Sequence, residues 1–325
     1  MKHPRDVLLG AQAGRALLPV CDHYSGVEAR MRKSLQMQAE LAQEFGACVF
    51  DVTLDCEDGA PVGGEADHAA LVLSLLQSVC LGCRVGVRLH AVDHSAFEAD
   101  VATLLTHPSV KPAFVMLPKV DTPAQLAQAL AVMDAAGAHS VPIHVLLESP
   151  LAIHHAFDIA AHPRVESLSF GLMDFVSAHG GAIPSSGMGV DGQFAHPLVV
   201  RAKLALSSAA HAFGKTPSHC VVTEFRDTAA LRAAALKARN EMGYTRMWSI
   251  HPDQIRTIVD VFAPTLGEVD EAAHIIQQAA SHEWAPTQVA GKLHDRASYR
   301  FYWQTLERAH QTGRALPAEM AQYFS

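Results

Sequence analysis

Residues 143–150 read Ile143-His-Val-Leu-Leu-Glu148-Ser149-Pro150, an apolar run of strand length that stops at a carboxylate. A helical pattern follows over residues 151–160. A short run that is apolar on both faces, feeding a helix, is the signature of a buried parallel strand. Working outward, the same unit recurs. Strands are predicted at Ala16–Val20, Cys48–Leu54, Val85–Leu89, Ala113–Leu117, Ile143–Leu147, Val165–Phe170, Cys220–Phe225 and Met247–Ile250. Helical patterns lie between them near 27–45, 65–79, 96–106, 123–136, 151–160, 195–213 and 227–242, and one more follows Pro252.

Eight such units predict an α/β chain folded as a closed (β/α)8 TIM barrel. The structural rival is a doubly wound open sheet, but no Gly-x-Gly-x-x-Gly follows the first strand, which removes its usual dinucleotide-binding form. Asp121-Thr-Pro and His251-Pro-Asp-Gln mark helix starts with proline in the first turn. Residues 180–192 are rich in Gly, Ser and Pro and read as a long loop after the sixth strand, of the kind that often carries function. Beyond Pro264 the text changes to a helix near 267–280, a loop at 284–291 and a last helix over about 296–310. The expectation is a barrel over residues 1–262 and a C-terminal helical extension over 263–325, acting as a lid or a subunit contact.

The chain has 325 residues, 49% hydrophobic and 18% charged, the balance of a soluble globular protein rather than a disordered one. A net charge of −8 argues against a nucleic-acid partner, without excluding anionic ligands held in a local basic pocket. Of the six cysteines, Cys80 and Cys83 form a C-x-x-C pair. No second pair follows to complete a zinc site, so the pair reads as a plain turn. No secretory signal pattern opens the chain and no 18-residue apolar run occurs, so a cytoplasmic protein without a membrane partner is expected.

Polar residues punctuate the predicted strand ends: Asp55-Cys-Glu57-Asp58, Arg88 and His90, Lys119, Glu148, Asp174 and His251. In a barrel these ends meet at one mouth. Glu148 and Asp174 follow nearly adjacent strands. Two carboxylates facing one cavity repel unless a proton or cation lies between them. A hard divalent cation, Mg2+ with Mn2+ as the alternative, resolves that repulsion using one or two protein carboxylates and water. The bland alternative is that each caps the helix after it. Glu57 and Asp58 read either as a second acidic shell or as loop solvation. Arg88, inside an apolar run, must be paired or reach a ligand, and its fork suits a carboxylate or a developing oxyanion. Lys119 reads as a partner of Glu148 or as a residue that steadies the acidic cluster; a Schiff-base lysine is the further alternative, the carboxylates favouring metal chemistry. Asp51, inside its strand, stays undecided between an inward polar residue and the partner of a buried cation.

Taken in order, these residues resemble the HpcH/HpaI aldolase and citrate lyase superfamily, closest to its citrate lyase beta subunit and malyl-CoA lyase branch. The matching text is LDCEDGAP at 54–61, VRLH at 87–90, MLPKV at 116–120, LLESPLAI at 146–153, FGLMDF at 170–175, VRAKLALSSAAHAFG at 200–214 and SIHPDQI at 249–255. The resemblance implies a (β/α)8 barrel in which Glu148 and Asp174 bind Mg2+, Arg88 contacts substrate oxygen, and Glu57 and Asp58 support that centre; Lys119 is expected beside Arg88 as a substrate-binding residue. It also implies a lid aspartate carried to a neighbouring subunit, matched by Asp295, and a homo-oligomer, trimer or hexamer. The implied activity is cleavage or formation of a carbon–carbon bond in a β-hydroxyacyl thioester resembling malyl-, citramalyl- or citryl-CoA, coenzyme A being part of the substrate. The alternatives are an aldolase acting on free 2-keto acids, a thioester hydrolase, and a non-catalytic barrel that binds an acidic metabolite or serves as a lyase subunit. Two departures from the family text bear on thioester handling: the R-S-x-L-x-x-P-G start reads Arg15-Ala-Leu-Leu-Pro-Val-Cys-Asp, and the strand-8 glycine–lysine pair is replaced by Arg246-Met247. A mouth blocked by Arg246 or Trp248 would favour the non-catalytic reading.

Overall fold

The computed structural model of the protein describes residues 3–10, 13–14 and 17–324. Eight parallel strands close into a barrel in sequence order: β1 (Cys21–Ser25), β2 (Phe50–Asp55), β3 (Val85–Arg88), β4 (Val115–Leu117), β5 (Ile143–Leu147), β6 (Val165–Phe170), β7 (Thr216–His219) and β8 (Arg246–Ser249). The seam joins β1 to β8, with Cys21, Asp22 and His23 opposite Met247, Trp248 and Ser249. The helices are α1 (Pro4–Leu9), α2 (Glu28–Phe45), α3 (Glu65–Leu76), α4 (Phe97–Leu105), α5 (Pro123–Ala135), α6 (Pro150–His154), α7 (Ala156–Ala160), α8 (Leu172–Ser177), α9 (Pro197–Ala212), α10 (Thr228–Glu241), α11 (Pro252–Phe262), α12 (Leu266–Ser281), α13 (Arg296–Gln311) and α14 (Ala318–Ala321).

Two predicted strands are misplaced. The first lies at Cys21–Ser25, just after the apolar text; Ala16 falls outside the described residues. The apolar run attracts a strand assignment, but the ladder forms on Cys-Asp-His-Tyr-Ser because Asp22 finds a buried partner across the seam. The seventh lies at Thr216–His219, before the predicted Cys220–Phe225. It contains Pro217, which cannot donate to a ladder and argues against an interior strand from sequence alone. The helix predicted over 151–160 is divided at His155. The loop predicted over 284–291 contains part of a hairpin, β9 (Thr287–Val289) with β10 (Lys292–His294). Cys80 and Cys83 are joined as a disulfide, so that turn is cross-linked rather than plain.

The outward face of the strands, with Phe50, Val52, Leu54, Val85, Val87, Ile143, Val145 and Leu147, packs under the helices as one apolar core. The inward face is layered. At the strand starts Arg246 lies between Asp22 (3.1 Å) and Asp51 (2.8 Å), wholly buried. Arg84 reaches Asp51 and Glu166, and Glu166 meets His144. Above this ionic floor sits an apolar layer of Met116, Leu146 and Trp248. The strand ends form the mouth. α12 and α13 pack on each other and, with α1, build a second apolar cluster around Trp303 and Tyr299. Among the described residues no helix is long and apolar enough to cross a membrane.

Candidate active site

The mouth is organised by Arg88 at the end of β3. Register places it opposite Asp55 on β2. Arg88 Nε donates to Asp55 Oδ1 at 2.5 Å and Nη2 to Asp55 Oδ2 at 3.0 Å, fork against fork. Nη2 also reaches Tyr24 Oη (3.2 Å) and Asp58 Oδ2 (2.7 Å), and Nη1 lies 3.0 Å from Glu57 Oε2. Tyr24 donates to Asp55 Oδ2 at 2.6 Å, and its ring lies under the guanidinium. Burial and the Asp55 charge push the Tyr24 hydroxyl pKa up, which keeps it a donor. The β1 and β2 end loops touch through Gly26 and Gly59. A Cβ on Gly59 would stand 2.6 Å from the Gly26 carbonyl and 2.5 Å from that of Asp55. This contact sets Asp55, Glu57 and Asp58 around one guanidinium.

Across the mouth, Lys119 follows β4 with a left-handed φ of 52°, a conformation seldom adopted outside glycine. So turned, its N–H donates to Glu148 Oε1 at 2.8 Å while its Nζ pairs with Glu57 at 2.6 Å. Glu148, at the end of β5, is buried. Its carboxyl is fitted against Gly171, where a Cβ would lie 2.6 Å from Oε2. Burial, and then the charge of Asp174, push its pKa up to about 8. Asp174, exposed in the first turn of α8, has no side-chain hydrogen bond or ion pair among the described residues. Five carboxylates (Asp55, Glu57, Asp58, Glu148 and Asp174) thus face two cations, Arg88 and Lys119, and the imbalance falls at Glu148 and Asp174.

That donor set fits a hard divalent cation: two carboxylates, one of them held uncharged by burial and repulsion unless a cation arrives. No group of three or more His, Cys, Asp or Glu suited to a metal assembles among the described residues. A metal on Glu148 and Asp174 would therefore take the rest of its ligands from water and substrate, as Mg2+ habitually does.

Of the residues singled out in the sequence, Glu57, Asp58, Arg88, Lys119, Glu148 and Asp174 come together. Asp295 does not join them. It caps α13, accepting from the N–H groups of Ala297 and Ser298, and is exposed. His251 caps α11 and stacks on Phe225. Arg246 and Trp248 do not block the mouth, since Arg246 belongs to the floor and Trp248 to the apolar layer. Of the departing text at residues 15–22, residues 15 and 16 lie outside the described residues, and Asp22, where the family text has glycine, lies in β1 and pairs with Arg246. Sequence reasoning missed Tyr24, whose strand was misplaced, and gave no role to Asp55, whose signal was its position on the strand level with Arg88. It also missed Asp100 on α4, which holds His90 through Nδ1 at 2.6 Å.

A family model described as HpcH/HpaI aldolase/citrate lyase matches residues 34–252. A solved structure of a citrate lyase from Burkholderia xenovorans LB400 is 49% identical, superposes with a TM-score of 0.83 and covers both chains fully. The L-malyl-CoA/beta-methylmalyl-CoA lyase of Rhodobacter capsulatus is 27% identical over 77% of this chain and 84% of its own. Protein CitE of Mycobacterium tuberculosis, solved with magnesium, acetoacetate and coenzyme A, is 21% identical, with a TM-score of 0.66 over 90% of this chain and 98% of that one.

Proposed function

The chain belongs to the HpcH/HpaI aldolase/citrate lyase family of enzymes, and from that premise we propose that it is a Mg2+-dependent lyase that breaks or forms a carbon–carbon bond in a β-hydroxyacyl-CoA of the malyl-, citramalyl- or citryl-CoA kind. The observation that carries this reading is the uncompensated carboxylate pair, Glu148 and Asp174, opposite the held guanidinium of Arg88.

In this reading Glu148 and Asp174 hold the metal. The bound cation supplies a positive charge for the substrate's oxygens as the bond between Cα and Cβ breaks. Arg88 presents N–H groups to the same developing charge, preorganised by Asp55 and Tyr24. Its most exposed partner, Asp58, is the contact that substrate displaces most cheaply. Glu57 keeps Lys119 Nζ beside the site. A cleft of about 110 Å³ adjoins Tyr24 and Asp58, between the ends of β1 and β8. Arg30 lines it, and the N-terminus of α2 has no side-chain cap there, which suits phosphates of coenzyme A.

Asp295 sits far along the extension with only local contacts, so in this reading it acts as acid or base in the mouth of a neighbouring copy. Residues 1–262 are then the catalytic barrel and 263–325 a lid or subunit contact. Exposed Leu293 and Phe301 on that extension support a homo-oligomer. A cytoplasmic site stays the reading: the four cysteines that remain thiols fit it, while the Cys80–Cys83 disulfide counts against it.

Turnover of malyl-, citramalyl- and citryl-CoA, assayed with and without Mg2+ beside free 4-hydroxy-2-keto acids, tests the reading. Mg2+-dependent cleavage of at least one thioester is expected. Turnover of the free acids alone would replace the thioester assignment with a keto-acid aldolase.

A further inference from the structure

At the opposite end of the barrel, the floor, α1 and α13 enclose another cleft, of about 410 Å³. Thr216, which opens β7, and Thr245, just before β8, line it, so it lies at the starts of the strands, roughly a strand length from the mouth. Arg5, Lys215, Arg300 and Arg308 also line it, with Glu307 the one carboxylate among the described residues. Glu307 is engaged by Arg5 at 3.5 Å and by Trp303 Nε1 at 2.8 Å. Lys215 Nζ donates to the His162 carbonyl and Arg300 Nε to that of Leu8.

Arg308 is different. Its guanidinium has no hydrogen bond and no ion pair among the described residues, although it is no more than half exposed. The charge it feels is that of Arg239, of the same sign; burial first, and then Arg239, lower its pKa to about 10. A guanidinium set back from water without a counter-charge is unfavourable, and all of its N–H donors remain available. Among the described residues Arg300 and Arg308 have no carboxylate partner, and a multiply charged anion balances them better than a monocarboxylate. The planar fork of arginine matches a phosphate face, and the volume is that of a small-molecule site.

We propose that this floor cleft binds a phosphate-bearing small molecule, with Arg308 as its anchor, independently of the mouth. Pyrophosphate titrated calorimetrically into the metal-free full chain at constant ionic strength tests it. Saturable binding is expected for the wild type and equally for Glu148→Gln and Arg30→Gln, and at least about tenfold weaker binding for Arg308→Gln. Arg308→Lys keeps the charge without the fork and is expected to fall between the two; it carries the test if Arg308→Gln melts early. No saturable heat, unchanged binding in the arginine-308 variants, or loss in Arg30→Gln instead would overturn the proposal. None of these outcomes depends on which thioester, if any, is turned over.

Discussion

The two ends of the barrel interior hold charge in opposite ways. At the floor, Asp22, Asp51 and Glu166 are met by Arg246, Arg84 and His144, and Arg246 is wholly buried. Burial alone would lower the Arg246 pKa, but the two aspartates outweigh it and raise it. At the mouth the cations are drawn to one side, around Arg88, and Glu148 and Asp174 are left facing each other. Balanced buried charge specifies a structure. Unbalanced charge at a cavity edge is a standing cost to the fold, retained where a ligand relieves it.

The sharpest way to break this comparison is at the unbalanced end. Glu148→Gln and Asp174→Asn are each expected to lower Mg2+-dependent turnover by about 10³-fold or more. The melting temperature of the metal-free protein should hold or rise, because repulsion is removed. A lowered melting temperature would move these residues into the structural class. At the balanced end, Arg246→Met should destabilise by about 3–5 kcal/mol in urea unfolding, since it leaves buried Asp22 without a cation and Asp51 with Arg84 alone; a change below about 1 kcal/mol would show that the floor does not depend on its ion pairs. Arg88→Lys joins the two behaviours, keeping the charge and losing the fork. A fall in kcat of about 10–100-fold with a small stability change is expected.

The smallest effect concerns a buried cation of neither end. Lys203 on α9 donates to Gln193 and lies over the Phe194 ring, and burial lowers its pKa to about 8. The unfolded chain keeps that proton to about pH 10.4. Between these values the unfolded state binds more protons, so this residue's contribution to stability rises with pH. The difference in unfolding free energy between wild type and Lys203→Met should shift toward the wild type across that window, by about 1–3 kcal/mol. A flat difference would place Lys203 in contact with water.

Glu57, Asp58, Arg88, Lys119, Glu148 and Asp174 were legible at the mouth because they end or closely follow apolar runs, and a run that stops at a charge is visible without knowing its neighbours; Tyr24, in a polar strand, was not. The floor was not. Only Asp51 is legible as far as a choice between an inward polar residue and the partner of a buried cation, which Arg246 is. The others stand at or just before strand starts, where a charge looks like loop text, and one of those strands, Cys-Asp-His-Tyr-Ser, carries polar residues that local propensity reads against. Arg246 shows the gap most clearly. From sequence it stands next to the strand-8 text and reads as a change in the ligand pocket; in space its partners are 224 and 195 residues upstream, at the other end of the barrel. The same distance hides Asp55 less, because its partner Arg88 is only 33 residues on.

That separation has a consequence for how the protein is made. Asp22 leaves the ribosome 224 residues ahead of Arg246, the arginine it pairs with, an interval of roughly 11–45 s at about 5–20 residues per second. Through that interval the sheet lacks its closing strand, and Asp22 lacks the cation it pairs with. Closing the ring and neutralising Asp22 are thus one event, reached only when the last strand arrives.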